Sequence, residues 1–271
     1  MMERSPKLLI LGAHPDDAEF HAGALSIRYR ERGYSVRWVS ATNGQSGHHT
    51  EPADVLVPRR RAEAAQSAQL IGAECEVWDF HDGSLQPDLD LRHAIIREIR
   101  AYQPDLVLTH RPWDYHPDHR ALGQAVQDAC YLVTVPRVLP DCAAVAHDPV
   151  VAYMVDLFQR PTPFHADFVL DGTGELECVV ELLACHASQV FEFLPFSFGS
   201  DEPVPDRPDD RKRWLSKWFQ QSIQRRVETF APLLDRPGAK LVEAYEVSEY
   251  ASQSNPKELA ILFPGCQKTQ P

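Results

Sequence analysis

The chain has 271 residues, of which 44% are hydrophobic and 24% charged, with a formal net charge of −12. That apolar content supports a full core without disulfide or metal staples, and excludes long disorder, collagen and coiled coil. An acidic chain repels nucleic-acid phosphates and anionic lipid, so neither is an expected partner, and Arg59-Arg60-Arg61 is a tight basic cluster that could act locally.

Taken in order, residues 8–13 are a short apolar strand and 17–32 a helix closed by Gly33. Strands at 35–41, 75–80 and 105–109 alternate with helices at 58–71, 89–102 and 119–132. Strands alternating with helices of this length predict a parallel sheet with crossover helices. Beyond residue 135 the pattern is less regular, with strands expected at 151–156, 168–171 and 241–250, helices at 175–188 and 211–230, and an exposed Pro/Asp-rich loop at 200–210. The expectation is one domain over 1–271, with a parallel α/β half at 1–135 and a looser half at 136–271 that carries substrate loops.

Six cysteines, none in a CxxC pair, argue against a zinc ribbon or a disulfide framework and fit reduced thiols in a cytoplasmic protein. The run Leu8-Leu9-Ile10-Leu11 is too short for a signal peptide or a membrane span, so no membrane partner is expected.

Open α/β sheets bind ligands beyond the carboxyl ends of their strands. The polar segments that follow the predicted strands should therefore converge. Ala13-His14-Pro15-Asp16-Asp17 follows the first strand, and Tyr115-His116-Pro117-Asp118-His119 follows the fourth. Taken alone, the first segment also reads as an Asp cap beside a loop histidine. Two His-Pro-Asp loops at one sheet end supply imidazoles and carboxylates for a divalent metal, and three protein ligands with an open position is the catalytic zinc pattern. A dinucleotide site is disfavoured, because the first loop contains no G-x-G-x-x-G.

These segments resemble the PIG-L/LmbE-like family of zinc-dependent N-deacetylases. The resemblance extends to Thr42-Asn43-Gly44, Arg60 ahead of Glu63, His81-Asp82-Gly83 and Cys185-His186-Ala187-Ser188-Gln189, and loosens past residue 191. It implies a Rossmann-like three-layer sandwich with a mostly parallel central sheet. It places the metal, zinc or alternatively Fe2+, on His14, Asp17 and His119, makes Asp16 the general base, and makes His116 a cationic imidazole opposite the developing oxyanion. Arg60, Asp82 and His186 are the expected substrate contacts. Arg60 paired with Glu63 along its helix, and His186 capping its own helix, are the competing readings. Asp118 either orients an imidazole or caps its helix, and the cap is favoured. Trp113 and Tyr115 flank the site, and His48, His49, His81 and His110 are assigned no role.

The implied reaction removes an N-acetyl group from an N-acetylglucosamine-type conjugate, with a small-molecule amino sugar as partner and a homotrimer or homohexamer as assembly. The alternative is a zinc-dependent hydratase or lyase acting on a small unsaturated acid. The substrate itself is left open, with specificity expected in the loops at 43–57, 134–149 and 190–210.

Overall fold

The computed structural model describes residues 4–199 and 202–269. Its centre is an eight-stranded sheet in the order β3-β2-β1-β4-β5-β7-β6-β8. The strands are β1 (Lys7–Gly12), β2 (Ser35–Thr42), β3 (Glu74–Phe80), β4 (Leu106–Thr109), β5 (Val150–Met154), β6 (Phe168–Asp171), β7 (Val242–Val247) and β8 (Gln267–Lys268). The first five pair in parallel, whereas β7, β6 and β8 add antiparallel. The mostly parallel α/β sandwich expected from the sequence is thus present, with an antiparallel extension from the second half.

The helices are α1 (Asp17–Glu31), α2 (Ala53–Ile71), α3 (Leu89–Tyr102), α4 (Pro117–Ala129), α5 (Leu176–Cys185), α6 (Leu194–Ser197), α7 (Pro208–Ser222), α8 (Gln224–Phe230) and α9 (Pro256–Leu262). β1 shows why the sheet is covered on both sides. Leu8 and Ile10 enter the core shared with α1, α5 and α7, while Leu9 and Leu11 enter the core under α3 and α4. All four are at most 1% exposed. Each buried Leu or Ile of this kind stabilises by roughly 1.5–3 kcal/mol, so a strand with no polar face belongs in the sheet interior.

Several element limits differ from expectation. α2 begins at Ala53, with Pro58 inside it rather than at its start. α4 begins at Pro117, where a proline at the first helical position loses no hydrogen bond. The helix expected at 211–230 is two helices that meet at Ile223, and the first of them begins at Pro208, inside the expected 200–210 loop. Residues 200 and 201 of that loop lie outside the described residues. α5 ends at Cys185, and a π-helix follows at Ser188–Phe193. No single helix among the described residues is long and apolar enough to cross a membrane.

The order 2-1-4 places β1 and β4 side by side in the sheet centre, with register Leu8↔Leu106 through Ile10↔Leu108. Chain connections leave β1 and β4 toward opposite sides, which opens a crevice between the two strand ends. Both His-Pro-Asp loops leave the sheet there.

Candidate metal centre

The site is built on the start of α1. Asp16 occupies the cap position, yet its side chain makes no cap hydrogen bond. Its Oδ1 instead accepts from Arg60 Nη2 at 3.1 Å. Asp17, the first helical residue, turns its carboxylate back so that Oδ2 accepts from His14 N at 2.8 Å. That return is possible because Gly12 has no side chain, since a Cβ there would lie 2.8 Å from Asp17 Cβ.

Three donor groups meet. His14 Nδ1 is 3.2 Å from His119 Nε2 and 3.6 Å from Asp17 Oδ2. His119 Nε2 is 3.6 Å from Asp17 Oδ1. A tetrahedral ion with bonds of about 2.0–2.1 Å has ligand-to-ligand edges of roughly 3.3 Å. The two Asp17 distances run to different carboxylate oxygens, and among the described residues the groups whose donor atoms all lie within 4.8 Å of one another are His14–His116–His119, Asp17–His110–His119 and His14–Asp82–Asp118.

The far nitrogens of both imidazoles face carboxylates. His14 Nε2 lies 3.3 Å from Asp118 Oδ2 and 3.4 Å from Asp82 Oδ1, and His119 Nδ1 lies 3.0 Å from Asp114 Oδ1. Carboxylates behind histidines set the tautomer and make the metal-facing nitrogen more basic. Burial alone would lower the pKa of His14, but Asp118, Asp17 and Asp82 outweigh it and hold it well above the ordinary value. Burial works to raise Asp17, and His119 and His110 overcome it, keeping that carboxyl well below its usual range. Groups arranged in this way favour a bound cation.

Asp118 decides one open alternative. It does not cap α4. Its Oδ2 accepts from Gly83 N at 2.7 Å and its Oδ1 from Leu85 N at 3.1 Å, beside the contact with His14. The favoured cap is therefore replaced by orientation of an imidazole. The cap of α4 is His116, whose Nδ1 accepts from Asp118 N at 3.2 Å. A nitrogen that accepts a backbone N–H carries no proton, so the ring is neutral with its proton on Nε2. Burial, followed by the charges of His14 and His119, also pushes the His116 pKa down. This contact and the direction of the shift favour a neutral hydrogen-bond donor over the cationic imidazole expected at His116. Its ring centroid is 4.6 Å from that of His14.

Arg60 is 2% exposed, and besides Asp16 it reaches Gly44 O at 3.3 Å. Gly44 sits at φ +69°, and a Cβ there would lie 2.4 Å from Arg60 Nη1, so only glycine admits this contact. The competing pairing with Glu63 does not form. Glu63 receives Arg59 Nε at 3.2 Å and Ser188 Oγ at 2.6 Å. Burial raises the pKa of Asp16, and the Arg60 charge works against that rise.

His186 departs from expectation. It has no exposed surface, and its Nε2 is 2.7 Å from Glu19 Oε1. A side chain with no accessible surface cannot touch a substrate in this arrangement, so the expected contact is replaced by a buried pair behind α1. Asp82 likewise serves the site from behind, accepting from Ser46 N at 3.2 Å while facing His14. Trp113 and Tyr115 are 47% and 67% exposed, and the Tyr115 ring stands beside those of His116 and His119.

Sequence reasoning assigned nothing to His110, although it follows β4 directly. Its ring stacks on His119 at 3.7 Å, and its Nε2 is 3.0 Å from Asp17 Oδ2. The available signal was its place at the end of the strand next to β1. His48 is not solvated either: its Nδ1 accepts from Glu51 N at 3.0 Å and its Nε2 faces Glu192. Gln189, within the π-helix, donates to Gly47 O at 3.0 Å and so ties the second half of the chain to the loop that holds Arg60 and Asp82.

The family model described as GlcNAc-PI de-N-acetylase (PIG-L) matches residues 9–130. A 4-oxalmesaconate hydratase of Pseudomonas putida is 28% identical over 189 residues, covering 67% of this chain and 73% of the relative. An uncharacterized deacetylase of Escherichia coli K12 is 30% identical over 139 residues, covering 49% of this chain and 71% of the relative. The N,N'-diacetylchitobiose deacetylase structure from Pyrococcus horikoshii superposes with a TM-score of 0.71 at 20% identity, over 92% of this chain and 85% of that one, which is a likeness of fold. By these matches the chain belongs to the PIG-L family.

Proposed function

We propose that this protein is a zinc-dependent N-deacetylase that releases acetate from an N-acetylglucosamine-type conjugate. The observation that carries this reading is the approach of His14 Nδ1 to His119 Nε2 at 3.2 Å, with a different oxygen of Asp17 3.6 Å from each and Asp16 adjacent in the chain. Two imidazoles and one carboxylate suit Zn2+ and accommodate Fe2+. When bound, such an ion supplies a Lewis acid and brings the pKa of water toward ~7.

The chain supplies the rest. Asp16, with its pKa raised by burial, accepts a proton from the attacking water and returns it to the leaving amine, which departs poorly unless protonated. His116 donates its Nε2 proton as a hydrogen bond to the acetyl oxygen as negative charge develops there. His110, Asp114, Asp82 and Asp118 hold the ligands in place. Arg60 keeps Asp16 oriented and charged. The six free cysteines suit a reducing compartment, and we place the protein in the cytoplasm.

The similarity to a hydratase favours one alternative, water addition to a small unsaturated acid by the same base and imidazole. The test is a panel of N-acetylated glucosamine conjugates and unsaturated dicarboxylic acids, offered to the zinc-loaded protein. Acetate and free amine in equal amounts support the proposal. Loss of the ultraviolet absorbance of an unsaturated acid, with no acetate from any conjugate, overturns it.

A further inference from the structure

Arg111 lies inside the loop that carries His110 and Asp114, and it is only 1% exposed. A buried guanidinium keeps its charge and must find acceptors. Arg111 finds them in the second half of the chain. Its Nε lies 2.7 Å from Asp156 Oδ2, its Nη1 donates to Glu246 Oε2 at 3.1 Å, and its Nη2 donates to Thr162 O at 2.9 Å. The guanidinium also stands 5.6 Å from the centre of the Phe164 ring, which packs edge-on against Phe230. Its two carboxylate partners hold further backbone: Asp156 Oδ1 accepts from Phe158 N at 2.8 Å, and Glu246 Oε2 accepts from His165 N at 2.9 Å. The connection at 156–165 contains neither helix nor strand, so much of its order comes from this one side chain and its partners.

The same loop addresses the proposed metal ligands. His110 Nε2 is 3.0 Å from Asp17 Oδ2, and Asp114 Oδ1 is 3.0 Å from His119 Nδ1. The residues between them are held as one turn. Asp114 N donates to Arg111 O at 3.3 Å, and Asp114 Oδ1 accepts from His116 N at 3.0 Å. Helix α4 leaves this turn no slack, because a Cβ at Gly123 would overlap His110 O and lie 3.1 Å from Arg111 C. A turn packed in this way shifts as a unit, so a displacement at residue 111 is passed to both His110 and Asp114. Ligands of a metal centre need placing to within roughly 0.5 Å, by neighbours that are themselves locked by packing and hydrogen bonds.

The structure assigns Arg111 as a positioning residue of the metal centre: its side chain fixes the 110–114 loop against the second half of the chain, and so sets the places of His110 and Asp114 behind Asp17 and His119. This rests on the metal-site reading above and extends it, because the half that supplies none of the proposed ligands becomes part of their support. Arg111 acts only through its neighbours. Arg100 provides the contrast. It is also buried, at 3% exposed, but its six acceptors are all backbone carbonyls of residues 132–142.

The experiment measures zinc affinity by competition with a chelator, the visible spectrum of the Co2+-loaded protein, and thermal unfolding of the metal-free protein. It compares wild type, Arg111→Met, Arg111→Lys and Arg100→Met. Arg111→Met should bind zinc at least about tenfold more weakly, the lower end of the scale for groups behind a ligand, and should change the Co2+ spectrum, which reports ligand geometry. Arg111→Lys keeps the charge but not the fork and should fall between. Arg100→Met should lose thermal stability yet keep the wild-type affinity and spectrum. Wild-type zinc affinity in Arg111→Met, or an equal loss of affinity in Arg100→Met, overturns the inference. If Arg111→Met does not fold, Arg111→Lys and Glu246→Gln carry the same readouts, and wild-type affinity in both overturns it. If wild type binds neither zinc nor Co2+, the metal-site reading fails by itself. Hydrogen exchange of the Asp114 and His116 amides then decides. Exchange at least about tenfold faster in Arg111→Met than in both wild type and Arg100→Met supports the inference, and equal exchange overturns it.

Discussion

Arg60 Nη2 donates to Asp16 Oδ1 at 3.1 Å inside the protein, joining α2 to the carboxylate next to Asp17, the proposed metal ligand. Burial raises the Asp16 pKa, and the Arg60 charge holds that rise in check. Replacing Arg60 with Met removes the opposing charge, so the Asp16 pKa rises further. The group must be ionised to accept a proton. The acidic limb of the kcat/KM profile is therefore expected to move to higher pH in Arg60→Met. A pH profile of both proteins checks this, and a limb that stays put or moves down removes Asp16 from the role of base.

Asp16 and Asp17 should separate by readout. Asp16→Asn keeps size and hydrogen bonding but cannot take the proton, so it should retain zinc and lose at least ~100-fold in turnover. Asp17→Asn should weaken metal binding first, with activity partly recovered in excess zinc. His14→Ala and His119→Ala should lose stoichiometric zinc. Elemental analysis beside steady-state kinetics distinguishes these outcomes. A metal-free Asp16→Asn protein would reverse the two assignments.

Asp118 holds His14 Nε2 and two backbone N–H groups at once. Asp118→Asn keeps one acceptor oxygen but loses the charge behind the imidazole. Zinc affinity should fall about 10–100-fold, the usual scale for the carboxylate behind a ligating histidine. Competition with a chelator measures it. Affinity equal to wild type would reduce Asp118 to a clamp on the Gly83–Leu85 loop.

His116→Ala should keep its metal and lose about 10²–10³-fold in kcat, with little change in KM, because its hydrogen bond strengthens as charge develops. The neutral ring predicted by its Nδ1 contact is open to NMR of the imidazole nitrogens in the metal-loaded protein. A doubly protonated His116 at neutral pH would contradict that contact.

Much of the fold is legible in the residues. The unbroken apolar run Leu8 to Leu11, the helix stops at Gly33 and Gly72, and the spacing of strands and helices define the parallel half, because burial on both faces and crossover lengths are local properties. The antiparallel addition of β7, β6 and β8 is not legible, since those strands find partners across long stretches of chain. Helix α2 begins before its Pro58, at Ala53, and Leu56 in the added turn is fully buried.

The residues by themselves identify the chemical groups at the centre. His14, Asp16, Asp17, His116 and His119 stand in two short segments whose position after strands is set by local patterning. Only the tertiary structure decides what each neighbour does. His110 reached Asp17 and Asp114 reached His119, His186 turned away to Glu19, Asp118 left its own helix end for His14, and Arg60 took Asp16 rather than Glu63. The reason is physical. A ligand's identity is a property of one side chain, whereas the partner of a buried charge depends on which opposite charge packing brings within about 3 Å, and the low-dielectric interior makes that choice binding.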